Sequence, residues 1–213
     1  MSTKNERLIQ DLVKDLKPVR PLKPLWKRVL IWAGAAAAIS ALELTLVASL
    51  RPEAFEMMSA YPRFALETFL IFVTPIFAAV AALVLSVPGN ERARWLQSAA
   101  VLTFLGFIGL TVYGMWDPIY DATVYGHRQS CPVDISLFGL VPMVLLFWLV
   151  RQAAPLNWKW LSILITLGAF APLAAVMQLT CMANSLHNLV GHILPIFIMG
   201  CLVLYLSHRF LKS

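Results

Sequence analysis

The chain has 213 residues, 60% of them hydrophobic and only 13% charged, with a mean hydropathy of +0.75 and a formal charge of +6. Soluble domains are about 45–50% apolar and about 25% charged, so this composition excludes an ordinary soluble enzyme and a disordered chain. The apolar surplus points to lipid as its solvent.

The first predicted element is an amphipathic helix over residues 5–17. Leu8, Ile9, Leu12, Val13 and Leu16 recur at steps of one, three and four and form one apolar stripe, with Arg7, Asp11, Lys14 and Asp15 mostly off it. About three turns are marginal as an isolated helix, so the stripe needs a surface. That surface is either an anionic membrane leaflet or a groove on a protein partner. Pro18 ends the helix, and Pro18, Pro21 and Pro24 favour an extended, stiff connector. Trp26, Lys27 and Arg28 read as an interfacial anchor. The polar start is too long for a cleavable secretory signal, and the apolar run behind it is of spanning length.

Apolar runs then predict six transmembrane helices, near 29–50, 64–87, 95–116, 134–150, 160–181 and 188–208. The fold class is all-α: a polytopic bundle over 26–213, preceded by a polar segment and linker over 1–25. Short connections carry turn signals at Arg51-Pro52, Pro88-Gly89-Asn90 and Ala154-Pro155-Leu156-Asn157. Pro75, Pro142, Pro172 and Pro195 fall inside spans, where each is expected to bend its helix. Glu43 lies well inside the first span and Glu67 near the start of the second, close to the interface.

Fourteen of the 17 Lys and Arg residues fall on the side of the two termini; Arg51, Arg63 and Arg128 fall on the other. The positive-inside rule therefore predicts that both termini lie in the cytoplasm. On this topology the excess charge is an orientation signal, and no direct nucleic-acid binding is expected.

The same topology gathers His127, Cys131, Cys181, His187 and His192 at the outer surface, and leaves Cys201 in mid-span and His208 near the cytoplasmic end. Thiolate and imidazole together suit Zn(II), Cu(I) or another soft metal, and Met177 or Met182 could add a thioether. The two outer cysteines could instead form a disulfide, or be small buried packing residues. Three cysteines exclude a fully paired framework within one chain. His187 and His192, five apart, stand about 140° apart on an ideal helix. They share a face only if the helix begins between them or Gly191 loosens it.

No P-loop, GxSxG, HExxH or CxxC is present, so no enzyme and no organic cofactor is expected. Asp117, Asp121 and Asp134 lie on the outer side without an evident nucleophile.

The opening Leu8-Ile9-x-x-Leu12-x-x-Asp15-Leu16-x-Pro18-Val19-Arg20-Pro21 resembles the N-terminus of NrsF-like membrane anti-sigma factors, negative regulators of SigF-type extracytoplasmic-function (ECF) sigma factors. Six spans, Cys131-Pro132 before the fourth, Pro142 within it, and Cys181 followed by His187 and His192 extend the resemblance along the chain. It implies that the cytoplasmic segment (Leu8, Ile9, Leu12, Val13, Asp15, Leu16, Pro18) binds an ECF sigma factor. It also implies that Cys131 and Cys181 sense heavy metal or oxidative stress from the periplasmic side. His187 and His192 fit by position as further ligands. The alternative is a small membrane transporter or quinone-linked thiol oxidoreductase using Cys131, Cys181 and Glu43.

Overall fold

In apolar surroundings a chain must satisfy its backbone hydrogen bonds internally, and long runs of Leu, Val, Ile, Phe and Ala do so as helices. A computed structural model of the protein describes residues 21–47, 49–119, 130–153, 155, 157–181 and 184–211, together with Glu6, Ile9, Asp11 and Val13. The helices are α1 (Leu25–Leu46), α2 (Ala54–Ala60), α3 (Pro62–Leu85), α4 (Arg94–Tyr113), α5 (Cys131–Arg151), α6 (Trp158–Thr180) and α7 (Ser185–Phe210). A single 3₁₀ turn, Glu91–Ala93, leads into α4. Among the described residues there is no strand. All of these helices except α2 are long and apolar enough to cross a membrane, which is compatible with a multi-pass membrane protein.

The six predicted spans are all present, each starting one to four residues earlier than its apolar run. At the other end four of the six stop one to four residues short of their apolar runs, so hydropathy places helix ends less well than helix centres. Backbone helix runs through Pro75, Pro142 and Pro172. Pro195 instead falls in the first turn of the regular part of α7, where its missing N–H costs little.

Successive spans alternate in direction. We call the end of the bundle that holds the starts of α1, α4 and α6 the terminal end, and the opposite one the far end. α6 is the central helix: it is buried along nearly its whole length and packs on α3, α5 and α7. Small residues allow this close approach. A Cβ on Gly168 of α6 would lie 2.8 Å from Leu146 Cδ2 and 3.3 Å from Ala79 Cα. A Cβ on Gly139 of α5 would lie 2.1 Å from Cδ1 of the buried Phe170 on α6. Gly139→Ala is therefore expected to destabilise the bundle by about 1–3 kcal/mol through overpacking, read as a lower thermal-unfolding midpoint in detergent.

One sequence reading changes: Arg28 is buried among the helices rather than part of an exposed anchor, whereas Trp26 is exposed and stacks with Lys27. Glu67, in the second turn of α3, is buried among side chains and held by Arg63 Nε and by Gln178 Nε2, each at 3.5 Å. Glu43 is buried on α1, as expected of an intramembrane carboxylate.

Candidate metal and thiol centre

The centre lies at the far end, where α5 begins and α6 finishes. Cys131 is the first residue of α5, with Pro132 behind it in the first turn. Cys181 follows the last residue of α6 in extended conformation, its N–H donating to Met177 O at 2.8 Å. Antiparallel packing of α5 and α6 brings these ends together, and the two Sγ atoms lie 2.8 Å apart without a disulfide bond. Both side chains are buried.

The histidines come from the start of α7. Asn184 caps this helix, its Oδ1 accepting from the N–H groups of Leu186 and His187 at 2.9 and 3.1 Å. One α-turn later the helix widens to a π-helix over Asn188–Ile193. Its i→i+5 hydrogen bonding stacks residues five apart, which an α-helix does not. His187 and His192 thereby share a face, with ring centroids 5.3 Å apart and the planes at 82°. Gly191 makes room for this: a Cβ there would meet Cε1 and Nε2 of the His187 ring at 3.3 Å.

Each of Cys131, Cys181, His187 and His192 offers one donor atom, and the four atoms all lie within 4.8 Å of one another. Two sulfurs and two imidazole nitrogens, without a carboxylate in the group, are a donor set for zinc or a softer ion. His192 is fully buried, and beyond the neighbouring Cys181 sulfur its ring nitrogens, like His187 Nε2, have no hydrogen-bond partner. Buried polar atoms are almost always satisfied, and a metal ion would satisfy these. The residues therefore fit a metal.

The electrostatics agree. The hydrogen bond from the Cys131 thiol holds Cys181 well below the ordinary thiol range, against the opposing effect of burial and with His187 and His192 adding to the shift. A thiolate at this position is the ligand form of cysteine.

Of the other predicted ligands, Met177 is adjacent: it is buried, with its Sδ 3.8 Å from Cys181 Sγ and accepting from Thr180 Oγ1 at 3.4 Å. His127 and Met182 lie outside the described residues, as does Asp121. Cys201 is exposed on α7 and takes no part, and His208 packs on Trp158 at the terminal end, ring centroids 5.1 Å apart.

Sequence reasoning missed the polar chain beside the centre. Asn188 Nδ2 donates to Gln178 Oε1 at 3.0 Å, Gln178 reaches Glu67, and Arg63 joins Glu67 to Asp117, bonding both its carboxylate and its carbonyl. Gln178 and Asn188 are isolated amides in apolar runs, and that isolation is the signal available beforehand.

At the other end of the chain, Glu6, Ile9, Asp11 and Val13 are helical and exposed, with Ile9 at 56% and Val13 at 58%. Leu8, Leu12, Asp15, Leu16 and Pro18 lie outside the described residues.

Fold and site together define a polytopic helical membrane protein with a soft-donor cluster at one end of its bundle. The family model described as negative regulator of sigma F (NrsF) matches residues 12–212, nearly the whole chain, and the protein belongs to that family. No curated protein and no solved structure matches it. A negative regulator of a sigma factor implies a sigma factor as partner and a regulatory rather than an enzymatic role.

Proposed function

We propose that the protein is an anti-sigma factor of the bacterial cytoplasmic membrane, both termini in the cytoplasm, that sequesters an ECF sigma factor through its N-terminal segment. The sigma factor is released when the far-end centre, facing the periplasm, senses a soft metal or oxidant. The convergence of four soft donors within 4.8 Å at the ends of three different helices carries this reading. The bias of Lys and Arg toward the termini supports the orientation.

Cys131, Cys181, His187 and His192 would hold Zn(II), Cu(I) or another soft ion, and the ion would supply a cross-link between the ends of α5, α6 and α7. Oxidation makes a similar link between two of them: the thiols of Cys131 and Cys181 lose two protons and two electrons to the oxidant and form one S–S bond. Either event switches the bundle only by favouring one arrangement over another. Moving an equilibrium from 1:99 to 99:1 takes about 5.5 kcal/mol, and structural zinc sites bind with about 10–16 kcal/mol.

The test is a sigma-dependent transcriptional reporter in cells carrying wild type, Cys131→Ser or Cys181→Ser. Zn(II) or the thiol oxidant diamide is expected to raise transcription at least tenfold in wild type and to leave both variants at the uninduced level. Variants that respond normally to both probes would sink the sensing model.

A further inference from the structure

Arg28 is in the first turn of α1 and only 1% exposed. A buried guanidinium ordinarily faces a carboxylate. Among the described residues no ion pair of Arg28 is found. Its Nη1 donates instead to Leu83 O at 3.1 Å, and its Nη2 to Leu149 O at 2.7 Å and Ser86 Oγ at 3.2 Å.

Both carbonyls lie in the last turn of a helix, at the negative end of its dipole. Both are also passed over by the backbone. At the end of α3, Ser86 N bonds Ala82 O and Val87 N bonds Val84 O, leaving Leu83 O to Arg28 and the Ser86 hydroxyl. At the end of α5, Gln152 N bonds Trp148 O and Ala153 N bonds Val150 O, leaving Leu149 O to Arg28. Arg28 thus caps two helices at once. One turn further along the same face of α1, Trp32 is buried and its Nε1 donates to Gly168 O of α6 at 3.2 Å.

Two of the three helices gripped in this way, α5 and α6, lead to the thiols of the centre, and the third is α3. α5 begins with Cys131, and Leu149 lies about 27 Å further along it at 1.5 Å per residue. From Gly168, α6 continues to Thr180, and Cys181 follows directly. In the sequence only residues 19–24 separate Pro18, the last residue of the sigma-binding segment, from the start of α1 at Leu25.

We propose that Arg28, assisted by Trp32, is the positioning joint that passes a rearrangement of the far-end centre to the sigma-binding segment. A shift of α5 or α6 along its axis displaces an acceptor of Arg28 or Trp32, and the start of α1 moves with it. The joint rests on the sensing role proposed above for Cys131 and Cys181.

The experiment uses full-length protein with its sigma factor bound, in nanodiscs, on a Cys201→Ala parent so that only the centre carries thiols. Zn(II) and diamide are the probes; diamide accepts the two electrons and two protons of the thiols. The state of the centre is read as bound zinc per chain, or as thiols left for maleimide after denaturation. The state of the segment is read as retained sigma factor. In the parent each probe is expected to engage the centre and lower retention at least tenfold. In Arg28→Gln the centre is expected to respond as in the parent while retention changes less than twofold.

Trp32→Phe keeps the packed ring and removes only the N–H. It is expected to release an intermediate fraction, and it preserves the test if Arg28→Gln does not fold. Tenfold release from Arg28→Gln, or parent-like release from Trp32→Phe if Arg28→Gln does not fold, would overturn the joint. A parent whose centre ignores both probes, or whose engaged centre releases nothing, overturns the sensing role and the joint with it.

Discussion

Replacing His192 by leucine is expected to make the metal-free protein more stable and a much poorer metal binder. The His192 ring is fully buried, and apart from the Cys181 sulfur its two nitrogens have no hydrogen-bond partner, so at least one is left unsatisfied. An unsatisfied buried polar group costs about 1–3 kcal/mol. Leucine fills a similar volume in an apolar setting without that cost, so the unfolding midpoint of the metal-free chain should rise. The same change removes one of four donors lying within 4.8 Å of one another. Loss of even an outer-shell partner costs 10–100-fold in metal affinity, so loss of a ligand should exceed about 100-fold. Zinc titration against a competing chelator, with thermal unfolding in the same detergent, measures both. A bland packing role for His192 predicts no change in affinity, and a midpoint that falls would show that the imidazole is satisfied in the fold. Opposite movement of the two quantities is the mark of a residue kept for function at the expense of stability.

How far this architecture was legible in the sequence depends on which interaction sets each feature. The six spans were readable because hydropathy acts locally and summed over about twenty residues it overwhelms every competing signal. The meeting of Cys131 with Cys181 was readable only in outline: topology put both at one end, while their contact depends on α5 and α6 packing as antiparallel neighbours. The pairing of His187 with His192 was hidden by helix periodicity. Five residues mean opposite-leaning faces on an α-helix, and only the π-helix of Asn188–Ile193, with a glycine at 191, brings the rings together. Arg28 was misplaced for a related reason. A basic residue after Trp26 and Lys27 has the composition of a membrane anchor, and nothing local reveals that the carbonyls of Leu83 and Leu149 are left without backbone donors. Interactions set between distant helix ends leave little trace in a single sequence.

The sigma-binding segment leads to the second large effect. Ile9 and Val13 stand one turn apart on the N-terminal helix, and both are more than half exposed. The bundle therefore leaves this part of the apolar stripe uncovered. Burying one such aliphatic side chain on a partner is worth about 1.5–3 kcal/mol, and an aspartate in its place adds the cost of burying a charge. The double variant Ile9→Asp/Val13→Asp should lose at least about 3 kcal/mol of binding, more than two decades in Kd at about 1.4 kcal/mol per decade. Fluorescence titration of the sigma factor onto full-length protein in nanodiscs measures this directly. In cells the same variant should transcribe the sigma-dependent reporter constitutively, with Cys131 and Cys181 intact and no inducer present. Glu6→Gln, on an exposed position outside the stripe, serves as the control and should bind within twofold of wild type. The competing role for the stripe is to lie on an anionic leaflet. On that role the double variant would detach the isolated segment from anionic vesicles while the sigma-factor Kd moved less than twofold, and sequestration would have to be assigned to another surface of the protein.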